Sequence, residues 1–417
     1  MDRNTGVENQ LEAQRVPLLV GGFGVPNWGD EYILDCVIKR IKQTAPWLRR
    51  VNLVTANANV SAWTQRYASL PVCPLDVFFS LVHQYPTLAD RPTPQAVEEV
   101  ALSILNDVKS PGASLNGRLA VAALEGSCGV HFCGGGYFYD AWTHAVVVFS
   151  LISKLAKALG LPITATGVSP FSVNDVGYVL LEDLVLSLDA FDIRDALDPR
   201  FAALRPDMTL TCDDALDFAP KGFGAGHPLG ALRLHLQLAR NPVYPHLFDE
   251  QKDWCVRAIS ALAADGQVEC VLMNHVGPDP ADWADLADLE AALAKSGVKL
   301  SRCDLSLLSP QEGLAIIARA DGVIASRYHA MIAHLHAGVP VVTFDNGHMI
   351  FDRHRAAFPL IAPERLWVTA FTAEPINTDA LAKFFRQPQG DFASPRLASA
   401  RAQKAILWEE VVKAWSR

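Results

Sequence analysis

Short apolar runs alternate with helical patterns along nearly all of this 417-residue chain, and they do so in two successive series. The first series offers strands at Val16–Gly21, Arg50–Ala56, Gly129–Cys133, Pro162–Gly167, Ala190–Ile193 and Met208–Cys212. Helical patterns fill many of the gaps, at Glu31–Gln43, Ala96–Lys109, Ala145–Leu159 and Val176–Leu188. The second series has strands at Ala231–Leu238, Val268–Asn274, Val298–Arg302, Gly322–Ala325, Val339–Phe344 and Leu366–Thr369. Its helices are expected at Asp249–Ala264, Ala281–Lys295, Pro310–Ala320 and Ala330–Ala337. A strand covered on both faces has no polar side, so it reads as a continuous apolar run. Such runs separated by helices predict parallel sheets with helices on both faces.

Between the two series lies Phe218–Leu229, FAPKGFGAGHPL, the segment richest in Gly and Pro and the best linker candidate. The expected division is a flexible segment 1–15, an N-terminal Rossmann-like domain 16–217, a linker 218–229 and a C-terminal Rossmann-like domain 230–393. The segment 394–417 reads as an exposed helix free to cross back to the first domain. Two such domains would face one another across a cleft. No internal repeat or low-complexity tract interrupts the pattern.

Composition narrows the partners. Half of the residues are hydrophobic and 19% are charged, as in an ordinary α/β enzyme. A formal charge of −9 argues against non-specific nucleic-acid binding. The eight cysteines (36, 73, 128, 133, 212, 255, 270 and 303) form no CxxC pair and sit mostly in apolar runs. Buried reduced thiols, a cytoplasmic setting and no structural zinc site are therefore expected. The first 15 residues lack the apolar core of a signal peptide. No run reaches the roughly 18 apolar residues of a membrane span.

Four stretches could carry chemistry. In Asp321-Gly-Val-Ile-Ala-Ser326-Arg327-Tyr328-His329-Ala330, an apolar strand delivers Arg327 and His329 to the start of a helix. The carboxyl end of a strand is where an open α/β sheet binds ligands, and helix-start amides beside a guanidinium suit a carboxylate or phosphate. Near the N-terminus, Gly21-Gly22-Phe-Gly24-Val-Pro-Asn27-Trp-Gly29-Asp30-Glu31 joins a strand to a helix, and is neither GxGxxG nor a P-loop. It reads either as a tight turn with Asp30 as N-cap or as a ligand loop whose Asn27 and Asp30 touch substrate. Gly134-Gly135-Gly136 ends another strand, where three glycines imply close approach of a backbone or a ligand. Arg194 in Ala190-Phe-Asp192-Ile-Arg194-Asp195 reads either as one half of a surface Arg–Asp pair or as a cleft-facing guanidinium. A further histidine, His275 in Met273-Asn274-His275, ends a strand of the second series and reads as structural or as a second-tier site residue.

Taken together, the motifs GGFGVPNWGDE, HFCGGG, DIRD with TCDDALDF, VLMNH, and SPQEGLAIIARADGVIASRYHAMIAHLHAGVPVVTF resemble the polysaccharide pyruvyl transferase family, in collinear order over roughly residues 16 to 348. The glycine loop and the Arg-x-His helix start are its specific parts. The resemblance implies a two-domain fold like that of B-type glycosyltransferases, with an acceptor-side N-terminal domain and a donor-side C-terminal one. It implies transfer of a pyruvyl group from phosphoenolpyruvate, a co-substrate rather than a cofactor, to a saccharide acceptor, usually as a cyclic ketal. Arg194, Arg327 and His329 match positions held to bind the donor and assist catalysis. Two departures concern the acceptor: Phe344-Asp345-Asn346-Gly347-His348 carries no lysine where relatives often have one, and Asn274 stands where a proline is common.

The mechanism expected on this footing uses Arg194 and Arg327 to hold the donor with Ser326 and His275, and His329 as proton donor. Asp30 is the candidate base for the sugar hydroxyl. Gly22, Gly24, Asn27, Gly29, Gly134, Gly135 and Gly136 would approach the substrates. No metal is required, because arginines can neutralise the leaving phosphate. A lipid-linked acceptor would bring peripheral membrane contact. Two rival readings are a nucleotide-sugar-dependent glycosyltransferase of the same shape and a non-catalytic glycan-binding relative.

Overall fold

The computed structural model describes residues 16–416 except 25–26, 49, 56–69, 136–137, 140–142, 173, 196–197, 219–229, 241–244, 278–279, 348–350, 371–374 and 389. The N-terminal segment 1–15, nearly all of the linker at 218–229, and Gly136 therefore lie outside the described residues. Two compact units emerge from the internal contacts. One contains residues 1–25, Ile33–Asp214 and Ala400–Arg417; the other contains Pro26–Tyr32 and Ala215–Ser399. A linear cut near residue 218 thus misassigns one stretch, because part of the N-terminal glycine segment belongs to the second unit.

The first unit holds seven parallel strands: β1 (Val16–Val20), β2 (Asn52–Thr55), β3 (Leu70–Pro74), β4 (Ser127–Phe132), β5 (Ile163–Val168), β6 (Ala190–Ile193) and β7 (Thr209–Leu210). Their order is β3-β2-β1-β4-β5-β6-β7. The second holds six: β8 (Leu232–Gln237), β9 (Val268–Asn274), β10 (Lys299–Asp304), β11 (Gly322–Ala325), β12 (Val341–Phe344) and β13 (Leu366–Thr369), in the order β10-β9-β8-β11-β12-β13. Both orders reverse direction beside their first strand, as in doubly wound sheets. Strands β1, β11 and β12 are buried along their full length, which accounts for their unbroken apolar sequences.

Several elements were not legible in the periodicity. Strand β3 carries prolines at two of its five positions, Pro71 and Pro74, and proline removes a ladder donor. The helices Leu75–Gln84, Pro86–Asp90 and Leu115–Glu125 also escaped the pattern. Strand β7 is two residues long rather than the five of Met208–Cys212. Helix starts follow capping chemistry where it can be read. Ser309 Oγ accepts from the Glu312 amide at 3.1 Å while the Glu312 carboxylate accepts from the Ser309 amide at 2.9 Å, with Pro310 at the first helical position.

None of the eight cysteines is joined in a disulfide. Burial pushes Cys73 and Cys270 up to about 12, which keeps both protonated and unreactive. Among the described residues, no helix is long and apolar enough to cross a membrane.

The helix Pro395–Trp415 contributes its residues from Ala400 onward to the first unit. Its Trp408 packs on the His131 ring at 4.9 Å, and its Lys404 is wholly buried. Lys404 Nζ donates to the Cys212 carbonyl at 2.7 Å and pairs with Asp214 at 2.8 Å and Asp192 at 3.1 Å. An ammonium can be buried this way because each of its donors meets an oxygen.

Candidate functional site

In the second unit, β11 ends at Ala325, and Arg327 is the N-cap of the nine-residue helix Tyr328–His336. The capping is done for it. The Gln237 side-chain oxygen accepts from the Arg327 amide at 3.0 Å, and Ser326 Oγ accepts from the Ala239 amide at the same distance. Ser326 is therefore engaged in holding the loop. Arg327 and His329 are half-buried residues at a helix N-terminus, where the helix dipole favours an anion.

The segment Asn27–Tyr32 packs in this same unit. Asn27 forms an antiparallel bridge with Val276, and the Trp28 amide donates to the His275 carbonyl at 2.8 Å. Asn27, not Asp30, caps the helix Trp28–Thr44: its side-chain oxygen accepts from the Gly29 amide at 3.1 Å. Asp30 lies inside the first turn, where its carboxylate accepts from the Asn27 side-chain amide at 2.6 Å. The cap preference of aspartate made Asp30 attractive, but asparagine three residues earlier fills the position equally well.

Two glycines show why the motif blocks read as they do. A Cβ on Gly29 would sit 2.6 Å from His329 Nδ1, so the absent side chain is what lets the ring lie there. A Cβ on Gly313, in SPQEG, would overlap the indole nitrogen of Trp28, whose N–H donates to the Ser309 carbonyl at 3.3 Å. NWGDE, SPQEG and SRYHA therefore interlock through Trp28 on Gly313 and His329 on Gly29. Trp28 was not singled out from the sequence; the signal was a tryptophan flanked by glycine within the loop.

His275 is 2% exposed, meets the Trp28 ring edge-on at 5.7 Å, and neither ring nitrogen has a hydrogen-bond partner among the described residues. Burial, then the charges of His334, Arg327 and His329, hold its pKa well below the ordinary value, so it is neutral at pH 7. His354, stacked against Tyr328 with ring centroids 6.1 Å apart, is likewise pushed down to about 4 by burial and Arg353. After β12, Asp345 pairs with Arg355 at 3.0 Å.

Arg194 belongs to the first unit and is 5% exposed. Its guanidinium pairs with Asp213 and lies 3.5 Å from Asp195. The pair is buried, not on the surface. Gly134 also has a local cause: a Cβ there would come within 2.7 Å of the Asp214 carboxylate, which accepts from the Gly134 amide at 3.2 Å. Gly135 bridges Val168, while Gly22 and Gly24 form the turn after β1, with Gly24 at φ 82°. Asn27, Gly29, Asp30, His275, Ser326, Arg327 and His329 thus fall in one unit, and Arg194 with Gly22, Gly24, Gly134 and Gly135 in the other.

Two Rossmann-like units of this strand order define the B-type glycosyltransferase fold. Solved structures share it: a Listeria monocytogenes protein assigned as a UDP-N-acetylglucosamine 2-epimerase has a TM-score of 0.56 at 12% identity, covering 94% of this chain and 96% of that one. HepE from Anabaena, solved with UDP and glucose, gives 0.53 at 13%, covering 96% and 98%. MnaA from S. aureus, solved with UDP, gives 0.53 at 11%, covering 95% of each. At such identities the likeness is one of fold. No curated protein matches the sequence. The profile of the polysaccharide pyruvyl transferase family matches residues 27–348, most of the chain. The protein belongs to that family and is a transferase.

Proposed function

We propose that this transferase moves a pyruvyl group from phosphoenolpyruvate to hydroxyls of a sugar in a glycan or glycan precursor, closing a ketal. The observation that supports it most is the seating of His329 on Gly29, with Arg327 one residue before the helix and neutral His275 in the same unit. Phosphoenolpyruvate carries a carboxylate and a phosphate. Arg327 and the helix amides offer matching donors, and His275 can add an N–H without a charge.

In this reading His329, protonated, gives its proton to the methylene carbon of the donor. The adjacent carbon becomes electrophilic, and a sugar hydroxyl oxygen bonds to it while Asp30 takes the hydroxyl proton. The carbon–oxygen bond to phosphate then breaks, with the electron pair leaving on phosphate, which takes up the proton held by Asp30. A neighbouring hydroxyl closes the ketal and returns its proton to His329. Arg194 lies in the other unit with its guanidinium charge balanced by Asp213 and Asp195, so no step is assigned to it. The acceptor, free or carried on a nucleotide, lipid or polymer, is met on the Asn27–Asp30 side. Mostly buried cysteines outside any disulfide fit a cytoplasmic setting.

Incubation with phosphoenolpyruvate and a panel of sugars is expected to release phosphate and yield a product heavier by one ketal-linked pyruvyl group. Sugar transfer from a nucleotide sugar, with phosphoenolpyruvate untouched, would replace this reading with a glycosyltransferase. Arg327→Ala and His329→Ala should each lower turnover by about 100-fold or more, the scale of losing a charge-stabilising or acid–base group. Near-normal turnover in both folded variants would remove the assignment. Gly29→Ala should displace the imidazole and lower turnover by about 10-fold or more. An alanine variant as active as the parent would show that the seat is not needed.

A further inference from the structure

We propose that strand β8 is the positioning element of the Arg327–His329 pair, with Gln237 and His235 as its positioning residues. The catalytic consequence rests on the donor-site reading above; the geometry stands without it. Strand β8 reads Leu-Arg-Leu-His-Leu-Gln, and its alternation sends the three leucines into the apolar core of the second unit. His235 and Gln237 share the opposite face, yet they are 0% and 2% exposed. Two buried polar side chains on one short strand call for partners, and both find them on the helix Tyr328–His336 or its N-cap.

Gln237 pairs with Ala325 in the β8–β11 register, directly before the site. Its carbonyl accepts from the Ser326 amide at 2.9 Å, and its side-chain oxygen accepts from the Arg327 amide at 3.0 Å. The N-cap amide of the site helix is thereby held by a side chain rather than by water.

His235 grips the same helix further along. His334 Nδ1 lies 2.8 Å from the Ala330 carbonyl, which can only accept, so Nδ1 carries the proton. The neutral ring then has a lone pair on Nε2, and His235 Nδ1–H donates to it at 3.0 Å, with the rings nearly perpendicular. Burial keeps both rings neutral, with His334 pushed down to about 4.

One strand therefore holds the helix at its cap and at its seventh residue. A helix turns about 100° per residue, so these two points set the direction in which Arg327 and His329 project. Apolar side chains could fill the same interior without desolvating an imidazole pair. What directional bonds add is a single register, where leucine on leucine would tolerate several.

The experiment compares His235→Leu, His235→Asn, Gln237→Met and the parent enzyme. Asparagine places an amide N–H near the position of Nδ1, so it can keep the bond to His334. His235→Leu and Gln237→Met are expected to lower kcat for phosphoenolpyruvate-dependent phosphate release by about 10-fold or more, with a modest fall in melting temperature from the partner left unsatisfied. His235→Asn should recover most of that loss. In histidine-labelled protein, the His329 ring resonances should move in the leucine and methionine variants and return in the asparagine variant. Unmoved His329 resonances in both would overturn the proposal, whatever the substrate. So would full kcat in both, or a loss that follows melting temperature equally in His235→Leu and His235→Asn. A parent enzyme silent toward phosphoenolpyruvate with every sugar counts against the donor reading, and the resonances still decide the positioning role.

Discussion

Replacing Lys404 by methionine is expected to destabilise the protein by about 3–5 kcal/mol, the cost of leaving a buried charge without its partner. Methionine fills much of the same volume, so packing contributes little to the loss. The penalty falls on Asp192 and Asp214, both almost fully buried and both within 3.1 Å of the ammonium. Asp214 is already pushed up to about 6 by burial, with Lys404 pulling it down and Asp192 pushing it up. Without the ammonium, one of the two carboxylates must take a proton. The remaining donors soften the loss: Gly167 N–H and Thr211 serve Asp192, and Gly134 N–H and Thr166 serve Asp214. Urea unfolding should show a lower midpoint at an unchanged slope. Adding Asp214→Asn to Lys404→Met should restore part of the stability, since it removes one uncompensated charge. A midpoint within error of the parent would mean that Lys404 is dispensable to the buried cluster.

Acidification from pH 7 to 5 should cost roughly 4–8 kcal/mol, several times the effect of an ordinary surface substitution. His131 is held at about 3 by burial and Lys404, while His334 and His354 are held at about 4, chiefly by burial. In the unfolded chain a histidine titrates near 6.5, so below that pH the unfolded state binds protons that the fold refuses. Stability from these groups is full above about 6.5 and is lost as pH falls toward their folded values. Each contributes about 1.4 kcal/mol per pH unit through that window. His235 and His275, also driven down by burial, add to the same slope. Asp214 works in the opposite sense, because its raised pKa makes the fold the better proton binder between about 6 and the usual carboxylate range. One carboxylate against five histidines leaves the histidines dominant. A melting temperature that stays flat between pH 7 and 5 would contradict this balance.

The doubly wound architecture was legible because buried parallel strands announce themselves. VPLLV, GVIA and VVTF admit few other readings. Strand β3 was hidden by its prolines. At the site, Arg327 and His329 could be placed from local sequence, since a strand end followed by a helix start is a local feature. Their surroundings could not. Gly29 and His329 lie at opposite ends of the chain, and nothing near either predicts a ring resting on a glycine. Arg194 read either as half of a surface pair or as a cleft-facing guanidinium, and Lys404 fell in a helix read as exposed, because local pattern carries no information about acids brought in from elsewhere. His235 and His334 passed as parts of apolar runs; a histidine on the polar face of a buried strand was the available clue.

The first turn of the Trp28–Thr44 helix counts with the second unit, although it is encoded near the start of the chain. For recombination this matters more than the linker does. A chimera joined near residue 218 would pair Trp28 and Gly29 from one parent with Gly313 and His329 from the other. Such a graft keeps both halves whole and still mismatches the seat, so residues 27–32 must be inherited together with the C-terminal half.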